Sequence, residues 1–321
     1  MKTPQQKTKT MLFSGALPFL SRTQRRIARA RVTSLPVLTE SAFTRILSVD
    51  LGLENGDTVF VHSSLDRLHL GFHFVRAFSI LREIVGERGT LLFPTYPRPK
   101  SYEFLKGGRV FDVRKSPSYT GILTEIARRH QRAVRSLHPT KSVCAIGQHA
   151  KELMKTHQCS AYPYDRCSPY YRIMEFGGKI IGIGVSTEKL SFVHCIEDAL
   201  GDQFPVRVYH DRIFSARCIN HEGKEEIVQT YAHDASRMNH ETAHFMKHHI
   251  PADICKDLTI HGMRFFRADS TRLFHAMIEL AKAGVTVYPR PFSHGYWMRV
   301  AKWGLRRVAV AFSGSRLIDS A

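Results

Sequence analysis

Side chains three positions apart on a helix share a face, and His194 and Glu197 keep that spacing within the segment 186–200. The segment follows Lys179-Ile-Ile-Gly-Ile-Gly184, which reads as a strand closed by a glycine turn. Most of its other members (Phe192, Val193, Cys195, Ile196, Ala199 and Leu200) are apolar, so the face carrying the pair is expected to look into the protein. A neutral imidazole held by a carboxylate beside a strand end can take a proton, which makes the pair a candidate general base. The same spacing also suits an ordinary ion pair on a solvated helix. Cys195 adjoins the pair, but consecutive helical residues point about 100° apart. It is read as a small packed hydrophobe and not as a nucleophile.

Three other patterns could carry chemistry. His240-Glu241-Thr242-Ala243-His244 matches HExxH, which on a helix would place two imidazoles on one face for zinc. Lys247 and Ile250 stand where the extended metalloprotease motif needs Gly and His, and no further Glu follows before Glu279. His248 and His249 add to the local count but suggest a solvated, His-rich face, which is the reading preferred here. Gly182-Ile-Gly184 follows a strand, but Thr187 occupies the third glycine position of a dinucleotide fingerprint. His62-Ser63-Ser64 ends a short apolar strand, where hydroxyls either cap the next element or present polar groups to a phosphate or pantetheine.

The elements that must hold these residues read as alternating strands and helices. The spacing predicts a helix over 38–51 with Thr39 as N-cap, a strand over 58–61, a helix over 74–85 and a strand over 90–93. A long basic loop is expected over 97–111, then helices over 121–130 and 148–156 around a strand over 142–146. After residue 204 three antiparallel strands are expected, over 206–209, 213–219 and 224–231, with His221-Glu222-Gly223 as a hairpin turn. An amphipathic helix over 269–283 follows. This order argues for an α/β fold: a single domain with a mixed sheet flanked by helices and antiparallel strands in the C-terminal half.

Composition sets the outer limits. The 321 residues, 43% of them hydrophobic, suffice for one large core. Six cysteines without CxxC spacing are expected to be reduced thiols in a cytoplasmic protein. The formal charge of +19 is concentrated at the ends: eight Lys and Arg precede the first acidic residue, Glu40, and six stand against Asp319 beyond residue 289. The chain is therefore divided into a basic, partly apolar arm (1–35), a catalytic domain (36–290) and a basic tail (291–321). The apolar stretch 11–20 is too short to span a bilayer, so the arm is expected at most to touch an anionic membrane surface. Nucleic acid is not an expected partner.

Taken in order, several segments resemble the aminoglycoside 3-N-acetyltransferase (antibiotic N-acetyltransferase) family. Gly56-Asp-Thr-Val-Phe-Val-His-Ser-Ser-Leu65 looks like the opening of that family, and Gly89-Thr-Leu-Leu-Phe-Pro-Thr95 is similar to its next strand. Phe111-Asp112, Pro117-Ser118, Gly121, Glu125 and Arg128-Arg129 lead into Arg135-Ser-Leu-His-Pro-Thr140, with Ser142, Ala145 and Gly147 continuing the register. Gly182–Val185 and Leu190–Glu197 resemble the segment bearing the family's catalytic His and a nearby Glu. The resemblance implies acetyl-coenzyme A as co-substrate, no metal, and acyl transfer to an amine of an amino sugar. It implies His194 as general base, with Glu197 and Asp234 as its acidic partners. It also implies a coenzyme channel lined by Ser63, Ser64, Ser118, Arg135, His138 and Ser142.

Two departures stand near the acceptor side. Ser186-Thr-Glu-Lys189 replaces a customary His-Asp and Asn-Thr, and Lys141 replaces a customary His. Aminoglycosides are polycations, and the basic balance of this chain is poorly matched to them. The reading that follows is an N-acetyltransferase acting on an amino sugar, with an anionic acceptor in cell-surface glycan assembly preferred. True aminoglycoside acetylation, conferring antibiotic resistance, is the first alternative. A non-catalytic nucleic-acid or membrane-binding protein is a second, and a zinc hydrolase built on the HExxH match a third.

Overall fold

The computed structural model of the protein describes residues 29–289. Most of the N-terminal arm and the whole C-terminal tail lie outside the described residues. Ten strands follow one another as β1 (Thr58–Ser63), β2 (Thr90–Pro94), β3 (Phe111–Asp112), β4 (Val134–Arg135), β5 (Val143–Gly147), β6 (Lys179–Ile183), β7 (Phe214–Ile219), β8 (Glu225–Thr230), β9 (Cys255–Ile260) and β10 (Met263–Asp269). Seven form one mixed sheet in the order β4-β5-β2-β1-β6-β10-β9. Its centre is parallel, β1 pairing with β2 and β6, and its flanks are antiparallel. β3, β7 and β8 make a small second sheet.

The central strands are apolar on both faces because both faces are covered. Val59, Val61, Leu91, Phe93, Ile181 and Ile183 point into one core. That core is closed by α1 (Glu40–Arg45), the π-turn Ile46–Asp50, α2 (Phe74–Val85) and, across a loop carrying the short α3 (Ser101–Lys106), α4 (Ile122–Arg128). Phe60, Leu92 and Ile180 alternate to the other side. There they meet α5 (Ala150–Met154), α6 (Pro169–Arg172), α7 (His194–Leu200), α8 (Thr242–His249) and α9 (Ser270–Lys282). Thr39 caps α1 and Asp269 caps α9, each accepting a backbone N–H three residues on. Among the described residues no helix is long and apolar enough to cross a membrane.

The fold is the α/β single domain expected, with local corrections. The 97–111 stretch holds α3. The 186–200 segment is no continuous helix: two 3₁₀ turns, Thr187–Lys189 and Ser191–Val193, precede α7, so the helix begins at His194 itself. No strand forms over 206–209, where Tyr209 makes a single bridge to His233. β9 and β10 were not anticipated. β9 is an edge strand with alternating exposure, joined to β10 by His261-Gly262, both at positive φ, the backbone a tight hairpin requires.

The Gly182-Ile-Gly184 pair serves packing. A Cβ at Gly182 would meet the Phe266 ring at 2.1 Å, and one at Gly184 (φ +71°) would meet the Ser64 carbonyl oxygen at 2.3 Å. The glycines thus let β10 and the turn after β1 close on β6.

Candidate active site

α7 brings His194 and Glu197 onto one buried face, as the spacing anticipates. His194 Nδ1 lies 2.9 Å from Glu197 Oε1. The other carboxylate oxygen, Oε2, lies 3.2 Å from His233 Nε2, and the Tyr288 hydroxyl donates to Oε1 at 2.6 Å. Glu197 is 3% exposed. Burial alone would push its pKa up, but the facing His194 and His233 imidazoles outweigh that and hold it well below the usual carboxylate range. Burial in turn lowers His233 to about 3, so it faces the carboxylate as a neutral donor. With a carboxylate on Nδ1, the His194 tautomer carries its proton there and leaves Nε2 as a lone-pair base.

The imidazole is fixed on its other sides by aromatic packing. Tyr164 lies 4.9 Å from the His194 ring, His233 4.6 Å and His240 6.1 Å, centroid to centroid. Tyr164 is itself anchored: its N–H donates to Asp198 Oδ2 at 2.7 Å, while the Tyr209 hydroxyl donates to Oδ1 at 2.6 Å. Burial pushes Asp198 well above its usual range, against the two hydrogen bonds it accepts, so the second carboxyl of α7 serves as a strut.

Two cavities lie near this cluster, one reached by Glu197 and the other by Ser191. One, about 640 Å³, is lined by Glu197, by Tyr162, Tyr209 and Tyr231, and by Asp202, Asp211, Arg207 and Arg212. The other, about 500 Å³, has β1's end (His62, Ser63, Ser64) on one wall and Tyr96, Tyr119, Thr120 and Ser191 on others, with Arg67, Arg98 and Lys189 also lining it. The short path from Ser191 to Glu197 runs from one cavity to the other, with His194 midway. The second cavity suits a long, polyanionic thioester. It supplies cations, aromatic walls, and two polar atoms, His62 Nε2 and Ser63 Oγ, that are buried without a hydrogen-bond partner.

The remaining sequence-expected residues separate into channel and scaffold. Ser63 and Ser64 line the second cavity. Ser118 stands behind it, its hydroxyl 2.7 Å from that of Thr120. Arg135, expected in the channel, is instead fully buried. Its guanidinium donates to Thr95 Oγ1, Ser142 Oγ and the Thr95 and Ser116 carbonyls, and stacks 4.7 Å over the Phe111 ring. Ser142 returns a bond to Thr95 O, and His138 is enclosed between the Thr230 hydroxyl and the His157 ring. Asp234, expected as an acidic partner, takes its bonds from Ser236 and Arg237 and does not join Glu197. Its neighbour His233 does. The chain is extended there, bridged to Tyr209, so adjacent side chains point to opposite sides.

The HExxH match does not form a two-His helical face. α8 starts at Thr242, leaving His240 outside it beside His194, while His244 stacks on His248 at 4.1 Å on the exposed side. Tyr288, which closes on Glu197 from 91 residues away, carries no local sequence signal.

Comparison with known proteins completes the description. The family model described as aminoglycoside 3-N-acetyltransferase matches residues 60–281. Aminoglycoside N(3)-acetyltransferase VII of Streptomyces paromomycinus is 30% identical over 200 residues, covering 55% of this chain and 69% of that enzyme; matches to further members cover 59–60% of their length. The crystal structure of aminoglycoside acetyltransferase AAC(3)-Xa superposes with a TM-score of 0.68 at 22% identity, over 83% of this chain and 99% of that one. The binary complex of AAC-IIIb with CoASH superposes with a TM-score of 0.62 at 20% identity, over 80% and 100%. These structures share the fold, and the family match spans most of the chain. The chain belongs to the aminoglycoside 3-N-acetyltransferase family, a family of acyl-coenzyme-A-dependent N-acyltransferases.

Proposed function

We propose that this protein transfers the acetyl group of acetyl-coenzyme A to an amine of an aminoglycoside. The observation that carries the reading is the His194 imidazole, tied through Nδ1 to an ionised buried Glu197, on a segment whose Glu197 lines one cavity and whose Ser191 lines the other. The Arg67, Arg98 and Lys189 side would hold the phosphates of the coenzyme, and the tyrosine-lined cleft would hold the sugar. The acceptor nitrogen attacks the thioester carbonyl carbon, the C–N bond forms, and the C–S bond breaks with the electron pair leaving on sulfur. His194 Nε2 takes the proton that the nitrogen loses and can return it to the thiolate. Glu197 stabilises the imidazolium so formed and keeps the ring aligned, and His233 and Tyr288 keep Glu197 in place.

The acceptor is the point at which the first expectation is revised. A basic chain favoured an anionic acceptor in glycan assembly, but the cleft does not carry that preference. Asp202 and Asp211 stand beside Arg207 and Arg212, and Arg207 is paired with Asp211 at 3.3 Å. The relatives are named for aminoglycosides, and none of these relatives supports the glycan reading. The test is release of free coenzyme A from acetyl-coenzyme A across a panel of aminoglycosides and nucleotide-linked amino sugars. Turnover confined to aminoglycosides is expected. Preference for the nucleotide-linked sugars, or no release with any amine, overturns the proposal.

A further inference from the structure

One cation in the centre of the molecule has no assigned task. Lys141 follows the buried 135–140 segment, and its side chain is half-buried. Its ammonium lies 5.0 Å from the ring centroid of Tyr96 and 5.8 Å from that of Tyr164. Tyr96 is a wall of the coenzyme-side cavity, and Tyr164 packs on the base His194. Among the described residues the ammonium has no carboxylate within ion-pairing distance and no hydrogen-bond acceptor; its contacts are π faces. A cation held this way is oriented but not neutralised, and one of its two rings lines the thioester's cavity while the other packs on His194.

We propose that the Lys141 ammonium is the electrostatic stabiliser of the acetyl oxygen during transfer. As the acceptor nitrogen bonds to the carbonyl carbon, the C=O π pair moves onto oxygen; it returns when the C–S bond breaks. A fixed positive charge held against Tyr96, which lines the coenzyme-side cavity, and against Tyr164, which packs on His194, lowers the cost of that step without reorganising. The inference rests on the acyl-transfer reading above. The shifts of the tyrosines and histidines around Lys141 keep them uncharged near neutral pH, which leaves Glu197 as the charged neighbour. Burial raises the Tyr96, Tyr164 and Tyr170 hydroxyls, His138 and His233 are lowered by burial, and Glu197 stays anionic. Burial lowers Lys141 itself to about 8, partly countered by Glu197. The charge that the proposal needs is therefore present below that value and lost above it.

The experiment measures kcat and KM for wild type, Lys141→Met and Lys141→Arg, with an acceptor that the wild type uses and as slow hydrolysis of acetyl-coenzyme A without amine. Release of free coenzyme A by the wild type tests the acyl-transfer reading on its own. Lys141→Met should lose about 10²-fold in kcat, the usual worth of one oxyanion donor, with KM for acetyl-coenzyme A little changed. Wild-type hydrolysis should fall as pH rises through about 8, and Lys141→Arg, whose charge persists, should restore most of the rate and lose that alkaline fall. Thermal melting of each variant checks folding. A folded Lys141→Met with wild-type kcat, or an alkaline fall that persists in Lys141→Arg, overturns the inference.

Discussion

Two buried polar clusters lie on either side of Lys141, and they are built to opposite ends. In the Arg135 cluster the guanidinium is spread over Thr95, Ser116 and Ser142, and His138 is closed in by Thr230 and His157. In the Glu197 cluster three donors converge on one carboxylate, yet His194 keeps Nε2 unspent. Family-like motifs mark both segments equally. The difference is which cluster leaves an atom over for a substrate, and sequence does not record that.

The sharpest way to break this contrast is to remove the atom left over. His194→Ala should lower kcat by about 10²–10⁴-fold while the melting temperature stays near wild type, as read by thiol release and calorimetry. A variant that turns over normally would return the pair to a structural role.

Both clusters, and the end of β1, share one liability. Burial holds His62, His157 and His233 to about 3, 4 and 3, against 6.5 for the exposed side chain. Below about 6.5 the unfolded chain binds protons that the folded chain refuses. Stability should therefore fall as pH drops from about 6.5 towards 4, by roughly 1.4 kcal/mol per pH unit and histidine. The depressed Glu197 adds loss in the same direction at lower pH. Urea midpoints between pH 7 and 4.5 check this, and a flat profile would contradict the burial of these imidazoles.

Arg135→Met should give the mirror image of His194→Ala. It strands buried carbonyls and hydroxyls and should cost about 3 kcal/mol of stability, with kcat per folded molecule close to wild type. A selective loss of coenzyme affinity in a stable variant would place Arg135 back in the channel. The smallest effect is expected for Asp234→Asn. Its partners are Ser236 and Arg237 at the surface, so kcat/KM should change by less than about twofold; kinetics near that of His194→Ala would reverse the assignment of roles between Asp234 and His233.

The fold was legible where periodicity is strong. β1, α2, β2, β6 and α9 follow from short doubly apolar runs, amphipathic spacing and caps, whereas the β9–β10 edge hairpin, half-exposed and polar, gave too weak an alternation. Within the site, His194 and Glu197 were legible because three residues of helix suffice to bring them together. His233 and Tyr288 reach the same carboxylate from 36 and 91 residues away, and only tertiary closure puts them there. The slip from His233 to Asp234 is a one-residue parity error in extended chain. Arg135, His138 and Ser142 were misplaced because a motif preserves a position without saying whether it serves a ligand or the frame.

Tyr288 gives the enzyme a built-in order of completion. Its hydroxyl fastens Glu197 from the short segment that follows α9, beyond Lys282, and the adjoining Val287 carbonyl accepts the Glu241 N–H. A chain clipped just beyond α9 would lack the latch on this carboxylate, whatever else of the sheet it kept. Val285, Val287 and Tyr288 are also buried in the core on that side of the sheet, so the same short segment completes both the packing and the site.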